Sequence, residues 1–98
     1  MPYMGAELYF HRKTIERDGS IVEMKIWRVP PSHDKPHGLK YSLVFIRDGK
    51  RIVGYDNAEG RGDHRHVRRR EYGYSFMDID RLIDDFLRDV DLARRGEL

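Results

Sequence analysis

An α+β fold is what the 98 residues predict: an antiparallel sheet of four to five strands, built from two hairpins, with one C-terminal amphipathic helix packed on one face. Three observations carry this. Asp18-Gly19 and Asp48-Gly49 each separate runs rich in β-branched and aromatic residues, the strongest short-range hairpin signal. Between them, Pro30 to Leu39 holds three of the four prolines and cannot continue either strand. Near the C-terminus, apolar residues recur at the three-four spacing of a helix.

The first hairpin is expected to join strands Ala6–Glu16 and Ser20–Val29 through the three-residue loop Arg17-Asp18-Gly19, with Gly19 left-handed. That loop sets Lys13 opposite Glu23, Phe10 opposite Ile26 and Tyr9 opposite Trp27. A two-residue loop would set Lys13 against Met24 and His11 against Ile26, a poorer match of faces. Val22, Met24 and Ile26 then line the core. The second hairpin, Lys40–Arg47 with Lys50–Asp56, turns at Asp48-Gly49 in a two-residue turn of the primed type. Its expected partners are Phe45 with Ile52, Val44 with Val53 and Tyr41 with Asp56. Asn57 to Gly62 follows as a glycine-rich loop, and His64 to Arg69 extends as a fifth, edge strand whose charges discourage aggregation. Tyr72-Gly73-Tyr74 leads into the helix, Asp78 to Arg95, with Ile79, Leu82, Ile83, Phe86, Leu87 and Val90 as its apolar stripe. Asp78 or Ser75 can cap its start, and Arg94-Arg95 and Gly96 suit its end.

The length fits one domain spanning residues 1–98, with one modest core. The chain has no cysteine, which excludes disulfides and cysteine-ligated zinc. The first twenty residues lack the apolar run of a signal peptide, and no window approaches the roughly 18 apolar residues of a membrane span. A cytoplasmic location is expected. The formal charge of +2 conceals an asymmetry. Arg61 to Arg70 holds five arginines against one aspartate, while Asp78 to Leu98 holds seven acids against four arginines. A basic stripe beside an acidic helix steers polyanions to one side of a molecule.

The segment Tyr55 to Arg70, YDNAEGRGDHRHVRRR, concentrates the chemistry. It gathers carboxylates (Asp56, Glu59, Asp63), imidazoles (His64, His66) and arginines (Arg61, Arg65, Arg68, Arg69, Arg70) around two glycines. Metal-free RNA cleavage needs a base for the 2′-hydroxyl, an acid for the leaving oxygen and cations for the phosphorane. On a strand, His64 and His66 point to one face with roughly 6–7 Å between α-carbons. Arg65 points to the other face, and Arg68 shares theirs. Asp56 or Asp63 can orient an imidazole. The same atoms permit a metal site: His64 and His66 with Asp56, Glu59 or Asp63 form a nitrogen and oxygen set suited to zinc, manganese or nickel. Five neighbouring arginines argue against a dedicated cation site, so no cofactor is the expectation. Arg68-Arg69-Arg70 suits a phosphate clamp or a solvated patch. Trp27 can stack on a base or pack against Tyr9, and His33 and His37 are accounted for by loop polarity.

Several segments together resemble one family. Glu23-Met24-Lys25-Ile26-Trp27-Arg28-Val29-Pro30, His37-Gly38-Leu39-Lys40-Tyr41, Tyr55-Asp56-Asn57 and Gly60-Arg61-Gly62-Asp63-His64-Arg65-His66 are similar to the TumE-type toxins of bacterial toxin–antitoxin modules. Tyr74-Ser75-Phe76 and the acidic helix fit the same pattern, so the likeness runs from about Ala6 to Val90. It implies a small cytoplasmic toxin with a cognate antitoxin, often a helix-turn-helix protein. Toxins of this size most often act on RNA. Arg68-Arg69-Arg70 departs from the pattern by its basicity.

The reading is therefore an RNA-cleaving toxin. His64 and His66 transfer protons, Asp56 and Asp63 orient them, and Arg61, Arg65, Arg68, Arg69, Arg70 and Trp27 contact nucleic acid. The acidic outer face of the helix points away from RNA. The alternatives are a module that binds nucleic acid or a partner without catalysis, and a metal-dependent hydrolase. A homodimer is compatible with an edge strand.

Overall fold

The structure, a computed structural model, describes residues 5–58 and 60–98. Glu59, one of the ligands considered for a metal, lies outside the described residues. Six strands, β1 (Glu7–Ile15), β2 (Ile21–Arg28), β3 (Leu39–Arg47), β4 (Lys50–Asp56), β5 (His64–Val67) and β6 (Arg70–Gly73), precede helix α1 (Ile79–Arg94). They form one antiparallel meander in the order β1-β2-β3-β4-β5-β6. The α+β class and the helix on one face agree with the sequence; the strand count of four to five does not. The expected strand 64–69 is cut short because Val67 pairs with Arg70 across a two-residue turn, Arg68-Arg69. Arg68 takes a positive φ of 55°, and its N–H donates to the Ile52 carbonyl at 2.8 Å. No glycine or asparagine marks this turn, so the local pattern does not announce it.

The first hairpin follows the three-residue reading, with Gly19 at φ 85° and Lys13 opposite Glu23. Phe10 faces Ile26, but a bulge between Leu8 and Phe10 puts Leu8, not Tyr9, opposite Trp27. The extra residue leaves Tyr9 exposed, its ring under the Arg28 guanidinium at 4.7 Å. In the second hairpin, Asp48 (φ 54°) and Gly49 (φ 72°) make the primed turn. A second bulge displaces the expected partners: Phe45 faces Val53, Val44 faces Gly54, and Ser42, not Tyr41, faces Asp56. Ile52 and Val53 are both buried by this arrangement, which strict alternation forbids. Beyond the last pair, Asn57 replaces the missing ladder. Its Oδ1 accepts from the Tyr41 N–H at 3.0 Å and its Nδ2 donates to the Leu39 carbonyl at 2.8 Å.

The core lies between α1 and one face of the sheet. Val22, Met24 and Ile26 meet Tyr41, Leu43, Phe45, Val53 and Tyr55 from the strands, and Leu82, Phe86, Val90 and Ala93 from the helix. Full burial of a side chain such as Leu82 or Phe86 contributes about 1.5–3 kcal/mol. Asp78 caps the helix by accepting the Arg81 N–H at 2.8 Å, and Gly96 at φ 72° closes its end. The stripe differs from the apolar pattern at Leu87, which is exposed. The acidic outer face is smaller than expected, because two of the helix's acids, Asp85 and Asp89, are buried against the sheet. Asp89 accepts from Tyr55 Oη at 2.6 Å and from Arg65 Nε at 2.7 Å. Asp85 accepts from Tyr74 Oη at 2.7 Å. A hydropathy pattern sees these residues as polar and cannot know that tyrosines and an arginine await them.

Candidate functional site

Pleating divides the strands between two faces. Leu43, Tyr55, Arg65 and Tyr72 form a row on the helix side, with Tyr55 bonded to the helix. The neighbouring rows, Ser42-Asp56-His64-Gly73 and Val44-Gly54-His66-Glu71, point to the opposite face, which α1 does not cover. Gly54 gives this face its recess. A Cβ there would fall 2.9 Å from Cδ of Arg51, so the absent side chain lets Arg51 lie flat across β4. Its guanidinium then comes within 3.9 Å of Asp56.

The imidazoles of His64 and His66 sit side by side, ring centroids 6.3 Å apart. Each faces a carboxylate. His64 Nδ1 lies 3.1 Å from Glu71 Oε2, and His66 Nε2 lies 3.3 Å from Asp56 Oδ2. Glu71 Oε1 also stands 3.9 Å from His66 Nδ1, while Arg61 Nη1 donates to Glu71 Oε2 at 3.2 Å. Acid, imidazole, acid and imidazole thus alternate along the recess. An ionised carboxylate only accepts, so the contact suits a proton on Nδ1 and a lone pair on Nε2, although it is an ion-pair distance rather than an aligned hydrogen bond. That Nε2 is buried and has no hydrogen-bond partner among the described residues. Such an atom is an acceptor waiting for a donor.

Asp63, expected to orient one of these rings, orients a different histidine. His37 Nε2 stands 3.2 Å from Asp63 Oδ2, and His37 Nδ1 accepts the Leu39 N–H at 3.1 Å. Because Nδ1 accepts, Nε2 carries the proton and donates to Asp63. Both nitrogens are engaged, and the ring also packs on Phe76 at 4.2 Å. This pair fastens the proline loop to the start of β5. Tyr41 lies beside it, its phenol pushed above the ordinary value by burial and then by the charge of Asp63.

The arginines separate. Arg61 and Arg51 flank the recess. Arg65 points to the helix side and is held by Asp89, a bond that raises the guanidinium above its ordinary value. Arg68 does not share the face of the histidines, because the turn takes it out of the strand; its Nε reaches the Leu98 carbonyl at 3.5 Å. Arg69 and Arg70 are exposed beside it. Trp27 lies on the uncovered face but strands away from the histidines, with Lys40 Nζ 5.5 Å above its ring. It does not pack on Tyr9, whose ring carries Arg28. Arg51 and Glu71 were missed by sequence reasoning. Recognising the Arg68-Arg69 turn would have placed Glu71 opposite His66; nothing local marks Arg51.

Among the described residues, no three histidine, aspartate or glutamate side chains are arranged to hold a metal ion. Among them also, no helix is long and apolar enough to cross a membrane.

A helix-backed antiparallel meander with paired imidazoles and carboxylates on its bare face defines a small α+β protein with a polar site on an open sheet. The protein family described as Toxin TumE matches residues 3–94, and the chain belongs to that family. It is thus a toxin component, with an antitoxin as the partner the family suggests. No curated protein and no solved structure matches the chain.

Proposed function

We propose that this toxin cleaves RNA without a metal, at the recess formed by His64, His66, Asp56 and Glu71. One observation carries the reading: His64 presents an unpartnered Nε2 while its Nδ1 faces Glu71, beside a second imidazole. In the proposed reaction the His64 ring turns its buried Nε2 outward on RNA binding; Nε2 then takes the proton of a ribose 2′-hydroxyl, and O2′ attacks the adjacent phosphorus. The bond from phosphorus to the 5′-oxygen breaks, and His66 supplies a proton to that oxygen. The products are a 2′,3′-cyclic phosphate and a 5′-hydroxyl end. Glu71 and Asp56 hold the rings, and Arg51 and Arg61 stand where charge accumulates on the phosphoryl oxygens. Asp63, Arg65 and Arg68 act on the fold rather than on RNA in this scheme, and Arg69 and Arg70, exposed on the β5–β6 turn, take no part in it.

The partner we propose is a helix-turn-helix antitoxin, and the site of action the cytoplasm, where RNA is available. A homodimer through β1 is disfavoured. Antiparallel self-pairing would bring the run His11-Arg12-Lys13 against its own copy.

Purified protein incubated with a defined RNA in the presence of a chelator tests the chemistry. Fragments ending in 2′,3′-cyclic phosphate are expected. Intact RNA, with the chelator and with added zinc or manganese, would sink the proposal. Cleavage restored by zinc or manganese alone would transfer the reaction to a metal.

A further inference from the structure

On the far side of the sheet from the histidines, a groove of about 1120 Å³ runs between the β5–β6 hairpin and the residues that follow α1. Its lining includes the cationic residues Lys50, Arg65, Arg68, Arg69 and Arg70 and no acid. Ile52, Val67 and Leu98 provide apolar lining, and Lys50, Arg69 and Arg70 provide charge. These three cations have no ion-pair or hydrogen-bond partner among the described side chains, unlike Arg65, which Asp89 neutralises. A cluster of like charges over apolar surface is a cost that a folded chain carries without internal relief.

We propose that this groove docks an acidic peptide segment with interspersed apolar residues, contributed by a protein partner, and that it works independently of the histidine recess. Charge complementarity selects the sign of the ligand. The apolar lining selects a peptide over a nucleic acid, because a strand of RNA offers no aliphatic groups to cover the half-exposed Val67 and Leu98. The one aromatic lining residue, Tyr72, already has the Arg65 guanidinium 5.3 Å from its ring centroid, which leaves a poor stacking platform for bases. Alongside runs β6, whose four residues are all exposed and whose outer edge has no strand partner among the described residues. An extended segment can add there as a seventh strand, its backbone completing the ladder and alternate side chains entering the groove. The sheet lies between this groove and His64, so its occupant leaves the recess open.

Fluorescence anisotropy with a labelled peptide of alternating glutamate and valine tests this, with polyglutamate and oligouridylate as competitors. The wild-type chain is expected to prefer the alternating peptide. The triple variant K50E/R69E/R70E should weaken it about 30-fold or more, since each reversal of a contacting charge changes binding by several-fold. R12E/K13E on β1 changes the net charge by four units against six and, scaled for that difference, should leave it within about threefold. H64A/H66A should bind the peptide like wild type whether or not RNA cleavage is ever observed, which separates this inference from the proposed ribonuclease. Backbone amides of β6 should gain protection from hydrogen exchange in the complex. Equal losses in the β1 and groove variants would reduce the binding to bulk charge and overturn the proposal. Loss of oligouridylate binding alone in the groove variant would overturn it in favour of RNA. Circular dichroism of the triple variant guards against misfolding, and R69Q/R70Q offers a milder version with the same direction of effect.

Discussion

Two histidine–carboxylate arrangements stand on opposite faces of this sheet, and they differ in what they leave unused. His37 has both nitrogens committed, one to the Leu39 N–H and one to Asp63, and its ring packs on Phe76. His64 has one nitrogen facing Glu71 and the other with no partner. In the first arrangement the ring is fully engaged and holds a loop, although the buried Tyr41 hydroxyl beside it is also without a partner. The second is incomplete, and its missing partner is the reason to place chemistry there. Proximity of imidazole to carboxylate does not distinguish a clip from a site; the hydrogen-bond inventory of the ring does.

The largest expected effect breaks the second arrangement. His64→Ala removes the proposed base and should slow RNA cleavage by about 10³-fold, the middle of the range for general-base removal. Its thermal midpoint should stay close to wild type. A variant that cleaves normally would move the base elsewhere. His37→Ala should do the reverse. It leaves the Asp63 carboxylate and the Leu39 N–H without their partner, at a cost of about 2 kcal/mol in a denaturant titration. Cleavage per folded molecule should persist. If it fell with His64→Ala, the contrast between the two histidines would be wrong.

Much of this architecture is legible in the sequence, and the illegible part has a physical pattern. Asp-Gly turns, the proline break and the helix caps act through local backbone preferences, so Lys13–Glu23 and the Asp48-Gly49 turn follow from neighbouring residues alone. Both bulges were hidden, because a bulge answers to packing across strands: Ile52 and Val53 are both drawn inward by the helix face. Asp85 and Asp89 were hidden for the same reason. Their partners Tyr55, Arg65 and Tyr74 are distant in sequence. In the candidate site, His64, His66 and Asp56 converge as strand alternation requires, whereas Asp63 went to His37 and Glu71 arrived from an unannounced hairpin.

Replacing the two acids by their amides sharpens the comparison at smaller magnitude. Glu71→Gln keeps the shape beside His64 but offers a donor as well as an acceptor, so the imidazole loses its fixed tautomer. Cleavage should fall about 10–100-fold, the usual size for an orienting partner. Asp63→Asn should leave the rate alone and lower the thermal midpoint. Equal rate losses in both would mean that His37 also takes part.

Acid separates the helix side from the open face. Burial pushes the Asp85 carboxyl up, but hydrogen bonds from Tyr74 and Arg81 outweigh it and hold the group below its ordinary 3.8. A depressed folded value means stability that is present above the unfolded value and is lost as pH falls through the folded one. Helix docking should therefore hold down to about pH 4 and loosen below it. Asp85→Asn, which retains only part of the hydrogen bonding, should flatten that acid limb in a pH series of thermal melts. An unchanged limb would assign the acid sensitivity to another carboxylate.

Arg68 gives the smallest effect and the cleanest separation of turn from binding. It sits at φ 55° in the turn that brings Glu71 opposite His66. A side chain in that region costs about 1–2 kcal/mol, which glycine does not incur. Glycine in turn raises the entropy of the unfolded chain, at about 0.5–1 kcal/mol. The difference predicts that Arg68→Gly is about 0.5 kcal/mol more stable, a shift visible as a small rise in denaturant midpoint. If Arg68 serves the turn, RNA affinity and cleavage should follow wild type in this variant. If instead affinity drops about tenfold with its salt dependence reduced, the guanidinium contacts phosphate. Geometry favours the first outcome, because the turn carries Arg68 toward the Leu98 carbonyl and off the face on which His64 and His66 lie.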